Sequence, residues 1–215
     1  MPSHSLDSLD SILFDLDGTL WDVTSLAANA RNDVMKRMEI QHRPFTREDI
    51  AKYIGLPVDE IYEKLFPNWA PEERFRLRKA VSEEIATRLP TIGADIYPGV
   101  AEGLALLNRK YRLFIVSNCA QGYIENFLNY SKFSPLISDH ECYGRTLKPK
   151  GENIRSVVER NHLKFPLYVG DTDGDHKAAL EAQVPYAHVD YGFGEPLGPC
   201  PRFSSFSDLV QALLK

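Results

Sequence analysis

Two aspartates, two positions apart, are the first residues whose types and spacing could do chemistry. Asp15 and Asp17 end an apolar run that starts at Ile12, and Gly18-Thr19 follow and turn the chain. Residues two apart in a strand point to the same face, so both carboxylates are expected at one strand exit. Such a pair can hold a divalent cation and share nucleophilic and proton-transfer work.

A second acidic group is the run Gly-Asp-Thr-Asp-Gly-Asp at positions 170–175. Three carboxylates within five residues repel one another unless a cation lies among them. The run lacks the twelfth-position glutamate and the flanking helices of a calcium-binding EF-hand. The pattern therefore predicts a magnesium site, with Asp173 interpreted as a loop acid or a helix N-cap.

Two further segments carry groups that suit a phosphate. Ser117-Asn118 follow an apolar run and offer a hydroxyl, an amide and the N–H groups of a turn. Lys148 and Lys150 flank Pro149, and a fixed ammonium there could neutralise an anionic nucleophile and a phosphate. Taken alone, the first segment is more typical of a simple turn and the second of solvated surface lysines.

Short apolar runs alternate with helical patterns, which favours an α/β fold with a Rossmann-like parallel sheet and helices on both faces. The predicted strands are Ser11–Phe14, Leu113–Ser117, Leu136–Asp139, Leu167–Gly170 and Tyr186–Val189. The predicted helices of this part are Val100–Arg109, Gln121–Tyr130, Glu152–Asn161, Gly174–Ala182 and Asp208–Leu214, the last with Ser207 as its cap. Ligands of open parallel sheets bind at the carboxyl ends of strands, so the polar segments above are expected to converge there.

The stretch after the first strand has a different pattern, with helices and no convincing strand. The predicted helices are Ser25–Met38, Arg47–Ile54, Asp59–Leu65 and Pro71–Leu89, and Thr46 with Asp49 resembles a capping box. We interpret residues 22–91 as an all-helical cap inserted into a catalytic core of residues 1–21 and 92–215.

Size and composition are those of one globular domain with a modest insertion: 215 residues, 43% of them hydrophobic, with a net charge of −5. The sequence has no basic run for nucleic acid, no apolar run long enough for a bilayer and no signal-peptide pattern. Its cysteines are odd in number and widely spaced, which favours reduced thiols over disulfides or a zinc site. We expect a cytoplasmic protein, monomeric or homodimeric, that binds neither nucleic acid nor membranes.

The chemistry-bearing segments resemble, in order and spacing, the four motifs of the haloacid dehalogenase-like hydrolase superfamily. These segments are Asp15-Leu16-Asp17-Gly18-Thr19-Leu20, Ser117-Asn118, Lys148-Pro149 and Gly170-Asp171 with Asp175. Flanking pieces resemble the phosphoglycolate phosphatase-like branch, whose helical cap follows the first motif: Gly55-Leu56-Pro57, Tyr97-Pro98-Gly99-Val100 and Tyr191-Gly192-Phe193-Gly194.

The resemblance implies a role for each site residue. Asp15 would attack phosphorus to form an aspartyl-phosphate, while Asp17 would protonate the leaving oxygen and then deprotonate water. Magnesium would be held by the Asp15 carboxylate, the Asp17 carbonyl and Asp171, with help from Asp175. Ser117 and Lys148 would bind the phosphoryl group beside Asn118; Lys148 is preferred over Lys150 because the family's lysine directly precedes proline.

The implied function is that of a magnesium-dependent phosphatase acting on a small phosphorylated metabolite. Asp17 supports phosphate-ester chemistry, since dehalogenases and phosphonate hydrolases of this kind lack an acid at that position. Two alternatives remain open: a phosphosugar mutase of the beta-phosphoglucomutase type, which shares the aspartyl-phosphate, and a catalytically idle binding module, which would usually have lost one of these acids.

Overall fold

The computed structural model describes residues 8–215, and its centre is a six-stranded parallel sheet. Its strands are β1 (Ser11–Phe14), β4 (Arg112–Ser117), β5 (Ile137–Cys142), β6 (Pro166–Gly170), β7 (Tyr186–Val189) and β8 (Arg202–Phe203). They lie in the order β5-β4-β1-β6-β7-β8. The predicted parallel sheet is confirmed, while the two-residue edge strand β8 was not predicted because it is too short to show a pattern.

The position of β1 determines where the site forms. Because β1 pairs with β4 on one side and β6 on the other, the carboxyl ends of these three strands are adjacent. Crossover connections leave in opposite directions from such a central strand, which opens a crevice at its end. The segments that follow β1, β4 and β6 begin at Asp15, Asn118 and Asp171.

Helices cover both faces of the sheet, as predicted. The core helices are α5 (Val100–Leu107), α6 (Tyr123–Ser131), α7 (Tyr143–Thr146), α8 (Lys150–Arg160), α9 (Asp173–Ala182) and α10 (Phe206–Leu214). Neighbouring residues of β1 point to opposite faces, so Ile12 and Phe14 join one buried apolar cluster and Leu13 joins another. A sheet buried on both faces explains why its strands read as continuous apolar runs.

Two helix starts differ from the sequence prediction. Helix α8 begins at Lys150, two residues before the predicted Glu152, because Pro149 serves as its N-cap residue. Helix α10 is capped by Ser205 and not by Ser207: the Ser205 Oγ accepts a hydrogen bond from the backbone N–H of Asp208 at 3.1 Å. The extended backbone at Ser205 suits an N-cap.

Four helices lie between a pair of very short antiparallel strands, β2 (Trp21–Asp22) and β3 (Asp95–Ile96). They are α1 (Thr24–Arg37), α2 (Arg47–Ala51), α3 (Val58–Leu65) and α4 (Pro71–Ile92), and they enclose an apolar cluster of their own. The predicted capping box of Thr46 and Asp49 is present at α2. Helix α4 continues through Pro90 to Ile92, three residues beyond the predicted end.

No helix among residues 8–215 is long and apolar enough to cross a membrane. The three cysteines, Cys119, Cys142 and Cys200, are free thiols.

Candidate active site

Asp15 lies at the exit of β1 and is almost completely buried. Its backbone N–H donates to Val169 O at 2.8 Å, so the strand ladder holds the residue in place. The chain then turns at Gly18, whose φ is +92°. A Cβ on Gly18 would lie 2.2 Å from Asp171 Oδ2. The close approach of the segments that follow β1 and β6 therefore requires glycine at this position.

Three buried carboxylates converge at this point. Asp15, Asp171 and Asp175 each offer an oxygen within 4.8 Å of the others. Burial and then the Asp175 charge raise the pKa of Asp15 to about 7, although Lys150 opposes that shift. Burial and the charges of Asp175 and Asp15 likewise raise the pKa of Asp171 well above its usual range. Both shifts come first from burial and second from the charges of the neighbouring carboxylates, which Lys150 offsets only in part.

The lysine of the site is Lys150, and here the structure corrects the sequence prediction. The Lys150 Nζ is buried and donates to Asp15 Oδ1 at 2.8 Å and to Asp175 Oδ1 at 2.6 Å. The Lys148 side chain is 62% exposed and its ammonium lies 4.0 Å from Glu152 on the surface. Because α8 starts at Lys150, this side chain projects from the first turn toward the sheet end, while Lys148 remains in the preceding loop.

Asp175 organises the loop after β6. Its Oδ2 accepts hydrogen bonds from the Asp171 and Thr172 N–H groups and, at 2.7 Å, from the Thr172 hydroxyl. Its Oδ1 accepts from Lys150 and, at 3.3 Å, from the Tyr168 hydroxyl. Both Asp175 oxygens accept hydrogen bonds, so this carboxylate orients Lys150 and Asp171 in addition to offering an oxygen ligand to a metal ion. Asp173 is exposed at the first position of α9, and Thr172 is the N-cap.

Asp17 has surroundings quite unlike those of Asp15. Its Oδ1 accepts two hydrogen bonds of 2.8 Å, from Trp21 Nε1 and from the Tyr123 hydroxyl. Burial raises the pKa of Asp17 to about 6, even though these two donors lower it. Both bonds use Oδ1, so Oδ2 accepts no hydrogen bond from the described part of the chain. Neither partner is predictable from the sequence, since nothing local marks an aromatic residue as a donor to a distant carboxylate.

Ser117 is the last residue of β4 and Asn118 follows it, and both line the same cavity as Asp15 and Asp17, as predicted from their strand-end position. Ser117 is buried. The Asn118 Nδ2 donates to the Gly55 carbonyl, in the loop between α2 and α3, at 2.8 Å. The Asn118 Oδ1 is buried without a hydrogen-bond partner. Asn118 therefore connects the sheet end to the four-helix segment.

The cavity lies between the sheet end and the four-helix segment and has a volume of about 350 Å³. The carboxylates of Asp15 and Asp17 lie on its sheet side. Apolar side chains from α1, α2 and α4 and from the N-cap residue of α1 form much of the opposite wall: Val23, Ala27, Ile50, Val81 and Ile85. Such a space, apolar with a few convergent polar groups, is typical of small-molecule sites.

The carboxylate cluster fits a divalent cation. Among residues 8–215, the one ammonium paired with these three buried acids is Lys150, and it contacts only Asp15 and Asp175. Magnesium prefers hard oxygen ligands and commonly binds through one or two carboxylates together with substrate phosphate. The residues that would hold it are Asp15 and Asp171, with Asp175 beside them.

Comparisons with known proteins agree with this geometry. Residues 12–189 match the family model described as haloacid dehalogenase-like hydrolase. The chain is 30% identical to the phosphoglycolate phosphatase of Aquifex aeolicus, over 94% of this chain and 95% of that protein. A crystal structure of a predicted phosphoglycolate phosphatase from Haemophilus somnus superposes with a TM-score of 0.81 at 24% identity, covering 94% of this chain and 97% of that one. CbbY from Rhodobacter sphaeroides, solved with xylulose-(1,5)bisphosphate, gives 0.79 at 18% identity, covering 95% and 99%.

Proposed function

The chain belongs to the haloacid dehalogenase-like hydrolase family and is a phosphoric monoester hydrolase, and we propose that it dephosphorylates a small phosphorylated metabolite through an aspartyl-phosphate in a magnesium-dependent reaction. The observation that carries the proposal is the buried cluster of Asp15, Asp171 and Asp175 with Lys150, which meets the cavity at Asp15. Phosphoglycolate, the substrate in the names of the curated relatives, is the first candidate.

Asp15 is the proposed nucleophile. Its carboxylate lies on the cavity floor, and its backbone is held by β6, so the attacking oxygen is fixed in place. A carboxylate and a phosphate dianion repel each other, and the Lys150 ammonium, 2.8 Å from Asp15, reduces that repulsion. When bound, magnesium would supply further charge neutralisation at the transferring phosphoryl group. Ser117 and Asn118 are placed to donate hydrogen bonds to its oxygens.

Asp17 is the proposed proton-transfer residue. Trp21 and Tyr123 fix its Oδ1, which leaves Oδ2 for the reacting group. Protonated, this carboxyl can give its proton to the leaving alcohol oxygen. The resulting carboxylate can then take a proton from the water that attacks the aspartyl-phosphate, which restores the starting state.

We further propose that residues 22–91 form the cap that closes over this site. Supporting observations are the separate apolar cluster of α1 to α4, the β2–β3 pair at its base and the contact of Asn118 with Gly55. A closed cap excludes water from the phosphoryl group until the leaving alcohol departs. A cytoplasmic location and a monomeric or homodimeric state stay predictions.

Phosphate release from phosphoglycolate, sugar phosphates, nucleotides and pyrophosphate, with and without magnesium, tests the proposal. We expect Asp15→Asn and Asp171→Asn each to lower turnover by at least about a thousandfold. Asp173→Asn, in the same loop but exposed, is the matched control and is expected to stay within about twofold. Substantial activity of Asp15→Asn would contradict the mechanism, and phosphate released at much less than one per turnover would indicate a mutase.

A further inference from the structure

Arg31, in helix α1, is a buried arginine with two guanidinium nitrogens that lack a hydrogen-bond partner. The residue is only 5% exposed, and its Nε and Nη1 atoms are buried with no hydrogen-bond partner. Unpaired polar atoms of this kind are uncommon, because each one loses its hydrogen bonds to water without replacement.

No carboxylate among residues 8–215 lies within ion-pair distance of Arg31. The guanidinium instead lies over the rings of Phe45 and Tyr62, each at 5.4 Å from the ring centroid. Stacking of this kind stabilises the cation on its faces but does not satisfy the N–H groups at its edge. Glu83, the acid that lines the cavity from α4, is exposed and faces Lys79 at 4.0 Å.

Arg31 lines the same cavity as Asp15 and Asp17, and it does so from the four-helix side. Of the described residues that line the cavity, it is the only lysine or arginine. The chain therefore fixes one positive charge, already stripped of water, in the wall of a largely apolar cavity. A charge held this way gains a partner when an anion enters the cavity.

We propose that Arg31 binds a second anionic group of the substrate, so that the preferred substrates are compact phosphate esters that carry a carboxylate or another phosphate on the part that leaves. This rests on the proposed function for the phosphate end of the site. The planar fork of the guanidinium matches either anion through two parallel hydrogen bonds. The contacts with the Phe45 and Tyr62 rings hold the fork in place before the ligand arrives. The volume of about 350 Å³ favours short leaving groups over nucleosides or long chains.

Hydrolysis of matched esters tests the proposal. We would compare phosphoglycolate, 1,2-ethanediol bisphosphate and the uncharged analogue 2-hydroxyethyl phosphate in the natural protein and in Arg31→Met. The substitution is expected to lower kcat/KM roughly 10- to 100-fold for the esters with a second anion, and to change it less than about threefold for the uncharged analogue. Whichever charged ester shows the larger loss identifies the anion.

Arg37→Met is the matched control, since Arg37 is on the same helix, is largely exposed and pairs with Glu84 outside the cavity. Arg37→Met is expected to leave the kcat/KM ratio of each charged ester to the uncharged analogue unchanged. Arg31→Lys keeps the charge but loses the planar fork, and is expected to recover only part of the preference. Thermal unfolding of each variant separates a binding effect from a loss of folded protein.

A binding measurement makes the outcome independent of turnover. Calorimetry in magnesium would compare phosphonoacetate with 2-hydroxyethylphosphonate, neither of which carries a phosphate ester. We expect the natural protein to prefer phosphonoacetate by about tenfold or more and Arg31→Met to lose that preference. Equal affinity for both ligands in the natural protein, or a preference that survives in Arg31→Met, would overturn the assignment of Arg31. Absence of phosphate release from every ester would instead contradict the proposed function.

Discussion

At the scale of single residues, chemical type does not decide function until burial is known. Lys148 and Lys150 are two positions apart with the same side chain, yet one is solvated and the other is buried against Asp15 and Asp175. Burial alone would lower the pKa of Lys150, but the two carboxylates outweigh it and raise the pKa above its usual range. The lysine therefore stays charged at neutral pH.

The two lysines offer a direct comparison. Lys150→Met leaves Asp15 and Asp175 without their ammonium, and we expect kcat/KM for the best ester to fall at least roughly a thousandfold. Lys148→Met should change it by less than about twofold, since only a weak surface contact with Glu152 is lost. Steady-state kinetics with circular dichroism of both variants checks this. Equal losses in the two variants would show that the buried contact has no catalytic role.

At the scale of elements, helix starts position the acids. Thr172 is the N-cap of α9: its hydroxyl accepts from the Asp175 N–H at 3.1 Å and donates to the Asp175 carboxylate. Thr46 forms the same kind of box with Asp49 at the start of α2, away from the carboxylate cluster. One local motif therefore stabilises a helix in both places, but only at α9 does its acid also contact Lys150.

Alanine substitutions in these two capping boxes distinguish an effect on stability from an effect on activity. We expect Thr172→Ala and Thr46→Ala each to lower the free energy of unfolding by about 1 kcal/mol, the usual cost of losing such a cap. Thr172→Ala should in addition lower kcat/KM by about tenfold or more, because the Asp175 carboxylate loses its shortest hydrogen bond from the loop. Denaturant unfolding and phosphatase assays measure the two effects. Normal activity in Thr172→Ala would mean that the loop is positioned without the hydroxyl.

At the scale of the whole molecule, ion pairs join the sheet to its helices. Glu141 of β5 is buried and accepts hydrogen bonds of 2.7 Å from Arg145 and from Arg160 of α8. Burial alone would raise the pKa of Glu141, but the two arginines outweigh it and lower the pKa to about 2. A carboxyl whose folded pKa is depressed stabilises the fold above its ordinary pKa of 4.5, and this contribution is lost as pH falls toward 2.

Glu141→Gln tests this linkage. We expect the free energy of unfolding of the variant to be roughly 1–3 kcal/mol lower than that of the natural protein at pH 7. Between pH 4.5 and 2, the variant should lose less stability than the natural protein. Glu102→Gln, on the exposed surface of α5, should leave the pH dependence unchanged. Urea unfolding across this pH range provides the measurement. Parallel stability curves for Glu141→Gln and the natural protein would exclude a contribution from this pair.

Hydrophobic patterning and strand-end chemistry were readable from the chain. The alternation of apolar runs and helical patterns determined the parallel sheet, because strands buried on both faces must be apolar throughout. The positions of Asp15, Ser117 and Asp171 directly after such runs placed them at one edge of that sheet. The very short strands β2, β3 and β8 escaped prediction, since two residues carry no periodicity.

The tertiary structure alone decided which groups face one another. That Lys150 and not Lys148 reaches Asp15, that Tyr123 and Trp21 hold Asp17, and that Arg31 is left unpaired in the cavity wall all depend on contacts between distant segments. The physical reason is that burial and partnership set the charge state and orientation of a polar group, and both come from residues far away in sequence. The sequence by itself determined that the acids lie at the carboxyl ends of the strands. Packing determined what each of them can do.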